Sequence, residues 1–124
     1  MLRKTLPLWS AALLAIAIAA GAQTMPAKKV ADGTWTDAKG MTLYTFDRDA
    51  GGKSACNGPC ATNWPPLAAT GDAKDSGDWT IVTRDDGSKQ YAYKGKPLYT
   101  WSKDAKPGDK TGDGMNNVWH TAKD

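Results

Sequence analysis

The sequence predicts an all-β fold: a small antiparallel sheet or sandwich assembled from two tandem repeats behind an N-terminal signal-peptide helix. Three observations predict it. The heptapeptide LYTFDRD at 43–49 returns as LYTWSKD at 98–104, an offset of 55 residues. At the same offset Lys39-Gly40 falls on Lys94-Gly95, Ala50 on Ala105 and Trp64 on Trp119, with no gap. Past the N-terminal segment no stretch has helical periodicity, and turn signals recur roughly every 8 to 12 residues, the spacing of an all-β domain.

The N-terminus reads as a targeting segment. Arg3 and Lys4 precede an uncharged, Ala-rich apolar run over 6–20, and Ala20-Gly21-Ala22 supplies the small-x-small pattern of a cleavage site. The run is short for a bilayer span, which takes about 20 residues. Residues 1–22 are therefore expected to leave, with no membrane span remaining. The first cysteine is Cys56, so there is no lipobox cysteine to anchor the mature chain. Of the 124 residues, 102 remain, and the loss of two basic residues takes the net charge from +3 to +1. That near-neutral balance argues against nucleic acid as a partner.

Residues 23–32 read as a polar leader, and 33–124 as one domain, with repeat one over about 33–67 and repeat two over about 79–121. In repeat one, 34–37 is a short strand and 41–46 a strong one, with Tyr44 and Phe46 on one face and Leu43 and Thr45 on the other. Asn63-Trp64-Pro65-Pro66-Leu67 must be extended, because paired prolines exclude a helix interior or a central strand. A polar connector covers 68–78. Repeat two reads as strands over 79–84 and 89–94 around the turn Asp85-Asp86-Gly87-Ser88, then the second LYT strand over 96–101, a polar loop, and a closing strand over 118–121.

Twin Tyr-x-aromatic-x-x-Asp motifs, the C-x-x-x-C-A-x-x-W-P-P segment over 56–66 and the closing Val118-Trp119-His120 resemble the bacterial secreted-repeat family, predicted lipoproteins with a Yx(FWY)xxD motif. The resemblance covers nearly all of 33–121. It implies an exported two-repeat envelope protein and assigns no biochemical function. The missing lipobox cysteine sets this chain apart from many relatives.

The motif residues Tyr44, Phe46, Asp49, Tyr99, Trp101 and Asp104 are read as structural, with rings in the core and each carboxylate fixing the turn at its strand end. The functional alternative has the two aspartates meeting across the repeat axis as a cation or acid–base pair. Cys56 and Cys60, exported to an oxidising compartment, are expected to form a disulfide. The alternative keeps them reduced and adds His120 with the thioether of Met115 or Met41 as a copper site. Five tryptophans remain in the mature chain. They substitute for a sparse aliphatic core, or else some are exposed for stacking. Trp64, beside two prolines, is expected to be the most exposed, and Trp64 and Trp119 are the candidate ligand-stacking residues.

The sequence therefore reads as a soluble, non-catalytic, periplasmic or secreted binding or structural module. It carries no cofactor, and its partner is an envelope component, glycan or protein. The alternative is a copper or thiol-redox accessory. Cys56 and Cys60 in repeat one and His120 in repeat two are not repeated in the other copy, so any chemistry is expected there and not at the motif.

Overall fold

The computed structural model describes residues 27–123; the signal segment, its expected helix and leader residues 23–26 lie outside them. The fold is built from short antiparallel strands: β1 (Ala27–Lys29), β2 (Trp35–Asp37), β3 (Tyr44–Phe46), β4 (Trp79–Thr83), β5 (Lys89–Tyr93), β6 (Lys96–Pro97) and β7 (Trp119–Thr121). A five-residue helix, α1 (Pro59–Asn63), and a 3₁₀ turn at Met115–Asn117 precede the two repeat-related tryptophans, Trp64 and Trp119. Both helical pieces are too short to leave a periodic signature, and Pro59 is tolerated because it lies in the first turn of α1.

Order begins earlier than the sequence suggests. Within the polar leader over 23–32, β1 already pairs with β2 in the register Ala27↔Asp37 and Lys29↔Trp35. Two of its three residues are exposed lysines, so it reads as polar, and only Ala27 is buried. The connector also has structure. Ala68 bridges Gln90, Ser76 bridges Trp79, and the Asp75 carboxylate accepts from the Ile81 N–H at the outer edge of β4.

The repeats interlock. In repeat one, three backbone bonds close a ring: Trp35 N–H to Ala122 C=O (2.9 Å), Ala122 N–H to Leu43 C=O (2.8 Å) and Leu43 N–H to Trp35 C=O (3.0 Å). Repeat two has the same ring among Tyr91, Leu67 and Leu98, at 2.9, 2.9 and 3.0 Å. Each ring is completed by the other repeat's last strand. β7 pairs with β3 (Tyr44↔Thr121, Phe46↔Trp119), and Pro66 bridges Tyr99. Between the rings, Tyr44 and Tyr99 exchange both backbone bonds, at 2.8 and 3.0 Å, and the pseudo-twofold axis passes between them.

Side chains alternate along a strand, so Leu and Tyr of each LYT segment enter different cores. Tyr44 and Tyr99 join Cys56, Trp64, Trp101 and Trp119 on one side. Leu43 and Leu98 join Ala27, Trp79 and Ala122 on the other, with Trp35, Leu67, Tyr91 and Tyr93 packed around them. Both LYT strands are thus central and covered on both faces.

Candidate functional site

A buried hydrogen-bond network lies along the pseudo-twofold axis. Tyr44 and Tyr99 are fully buried, and a buried phenol must find a partner for its O–H. Each finds it in the opposite repeat. Tyr44 OH donates to Asp104 Oδ2 at 2.7 Å, and Tyr99 OH donates to Asp49 Oδ2 at 2.7 Å. The second oxygen of each carboxylate serves its own loop, as the turn-fixing reading expects. Asp49 Oδ1 accepts from Ala55 N–H at 2.7 Å, and Asp104 Oδ1 accepts from Thr111 N–H and Oγ1–H at 2.9 and 2.6 Å. Each aspartate thus meets the other repeat's tyrosine.

Burial raises both phenols: Tyr99 is pushed up to about 12, and Tyr44 further, with the facing carboxylates adding to the effect. Burial also lifts the Asp49 carboxyl above the usual carboxylate range, against the N–H of Ala55, the Tyr99 hydroxyl and the Arg84 charge, which all favour its ionised form.

The two ends differ in what surrounds the bond. At Tyr99, Ser54 Oγ lies 2.6 Å from the phenol oxygen. Tyr99 spends its one proton on Asp49, so Ser54 is the donor between them. Arg84 Nη1 donates in turn to Ser54 Oγ (2.9 Å) and Gln90 Oε1 (2.8 Å), and Nη2 donates to Cys56 C=O (2.6 Å). Arg84 is 5% exposed, so the guanidinium is a buried cation reaching Asp49 through two hydroxyls. At Tyr44 the extra donor is the Gly112 N–H at 3.3 Å. Gly112 carries no side chain because a Cβ would lie 2.6 Å from Trp64 Cη2 and 3.0 Å from Trp101 Cγ.

The tryptophans form a column. Trp101 stacks on Trp64 with centroids 4.0 Å apart, Trp64 on Trp119 at 3.8 Å, and Trp119 on Phe46 at 4.1 Å. This corrects the exposed-platform expectation. Trp64 and Trp119 are only 4% and 3% exposed, because the prolines after Trp64 hold the chain extended against Tyr99 and turn its indole inward. Their faces are covered by each other and by the neighbouring rings.

Cys56 and Cys60 are joined in a disulfide. Met115, the repeat equivalent of Cys60, packs against the same aromatic cluster. His120 does not join them; its Nε2 lies 2.8 Å from Asp47 Oδ2 on an exposed face. Met41 N–H is bonded to Asp37 Oδ1 in the turn before β3. Among the described residues no group of three or more His, Cys, Asp or Glu side chains is arranged to hold a metal ion. The set Cys56, Cys60, His120 and Met115 is therefore not assembled as one site.

Sequence reasoning missed Ser54, Arg84 and Gln90. Ser54 and Gln90 face Asp109 and Trp35 at the repeat offset, and Arg84 faces the exposed Lys29, so comparing copies gave no signal. A lone Arg at the end of a β-branched strand reads as solvent-facing until the fold closes over it.

Comparison with known proteins adds a family. Residues 27–68 and 80–123 each match the model of a family described as a secreted repeat of unknown function. No curated protein and no solved structure matches the chain. The two matched segments are the two interlocked halves, and the first starts at β1.

Proposed function

The chain belongs to the family of secreted repeats of unknown function, and on that premise we propose that it is a non-catalytic exported module that binds or supports another component of the cell envelope. One observation carries this reading. The six residues that define the motif are spent on holding the repeats together: the phenols and carboxylates on each other, the remaining rings on the column. A motif used in this way builds a scaffold, and a scaffold leaves recognition to its surface. Among the described residues no helix is long and apolar enough to cross a membrane.

The test is direct binding by the mature protein. Purified peptidoglycan and detergent-solubilised envelope proteins are offered separately, and saturable retention is measured against heat-denatured protein. Saturable, fold-dependent retention by one fraction is expected. Equal retention of native and denatured protein, or retention by neither fraction, removes the proposal.

A further inference from the structure

The aromatic column and the two Tyr–Asp bonds are in contact, and together they are more than packing. Tyr44 meets Trp64 edge-on at 5.3 Å, and Tyr99 meets Trp119 edge-on at 5.2 Å. Six rings, Trp101, Trp64, Trp119, Phe46, Tyr44 and Tyr99, therefore form one continuous π-contact network. Indole and phenol are the ring side chains that give up an electron most readily. Trp64 stacks on Trp101 and Trp119 at 4.0 and 3.8 Å, so their π-systems overlap and a vacancy left by such a loss can pass from ring to ring.

A phenol traps the vacancy only if its proton can leave, since an oxidised phenol is a strong acid. Both tyrosines have that outlet, a carboxylate oxygen at 2.7 Å, within proton-transfer reach. Electrostatics separates them. Tyr99 lies one hydroxyl away from the buried Arg84 guanidinium, whose positive charge opposes a vacancy forming beside it. Tyr44 faces Asp104 and feels the charge of Asp113 as well, and among the described residues no buried cation is bonded into its end of the axis.

We propose that the column is a one-electron relay that protects the protein against radical oxidants by drawing the electron from Tyr44. A one-electron oxidant outside the protein, nearest the end rings of the column, Trp101 (9% exposed) and the half-buried Phe46, takes an electron from the indole stack and is reduced by one electron. Tyr44 refills the stack through Trp64, and its phenolic proton moves to Asp104 Oδ2. The products are the reduced oxidant, a neutral tyrosyl radical and a protonated carboxyl; a one-electron reductant such as a thiol, together with return of the proton, restores the starting state. This goes beyond the envelope-module reading and does not depend on it.

The experiment uses the mature protein with Tyr91→Phe and Tyr93→Phe, which leaves Tyr44 and Tyr99 as the only tyrosines. Flash-photolysed ruthenium tris(bipyridine) with persulfate supplies the oxidant, and radicals are read by transient absorption and electron paramagnetic resonance. A tryptophanyl signal decaying into a tyrosyl signal is expected, with slower conversion in D₂O. Adding Tyr44→Phe abolishes the tyrosyl signal and leaves the tryptophanyl radical standing. Asp104→Asn, which keeps the phenol but cannot take its proton, does the same, and Tyr99→Phe leaves the tyrosyl yield unchanged. Circular dichroism checks the fold of each variant. No tyrosyl signal in the background protein, no slowing in D₂O, or a signal that survives Tyr44→Phe and disappears with Tyr99→Phe overturns the proposal; the isotope measurement decides even if a variant fails to fold.

Discussion

The two ends of the pseudo-twofold axis make the same bond in different company. At the Asp49 end, Tyr99 is joined to a buried polar network of Ser54, Arg84 and Gln90 beside a disulfide. At the Asp104 end, Tyr44 sits against a glycine and meets the Trp64 indole edge-on, with Thr111 and Met115 where repeat one has its cysteines. Repetition therefore preserved the scaffold bond, while each copy acquired its own way of supporting the loop around it. One end relies on charge and covalent closure, and the other on close packing.

That contrast can be broken at either end. The largest effect is expected at the charged end. Arg84→Met strands the acceptors at Cys56, Gln90 and Ser54 in the core and should cost about 3 kcal/mol in urea unfolding. Gly112→Ala attacks the packed end and should cost about 2 kcal/mol, because the added methyl must displace Trp64 or Trp101; a matching change in tryptophan emission would locate the strain. Its repeat counterpart Asn57 is exposed, so Asn57→Ala should cost well under about 1 kcal/mol. A loss as large as that of Gly112→Ala would erase the distinction between the ends.

The Tyr–Asp bonds themselves give the next effect. Tyr44→Phe or Tyr99→Phe each leaves a carboxylate short of its donor and should cost about 1.5 kcal/mol. The most diagnostic prediction is alkaline. Tyr99 ionises at about 12 in the folded protein against 10.0 unfolded, so the folded state keeps a proton that the unfolded state loses. Its stabilisation is complete below pH 10 and is lost as pH rises from there through 12. Thermal melts should fall over that window, and Tyr99→Phe should flatten the decline.

Much of this architecture was legible in the chain. The offset located both LYT strands, the two prolines placed Pro66 in extended chain, and the export context anticipated the Cys56–Cys60 disulfide. The turn at 85–88 and the strands beside it lie where β-branched residues and Gly87 put them. What was not legible depends on which repeat a group meets. Sequence gives Asp49 three residues after Phe46, but its partner is 50 residues away, across the axis. The exposure expected of Trp64 failed for the same reason: the rings that cover it, Trp101 and Trp119, both come from the other repeat. The expectation that any chemistry would lie at Cys56, Cys60 and His120 gives way to a proposal centred on the motif itself, because only the folded network shows each phenol seated on a carboxylate.

The two backbone rings impose an order of events on synthesis. The first repeat cannot close when its own residues have been made, because the ring through Trp35 and Leu43 waits for Ala122 in the second repeat. A nascent polypeptide thus lacks that closure until the second repeat has been added. For a secreted chain, the late arrival of that strand delays closure of repeat one until repeat two has been made.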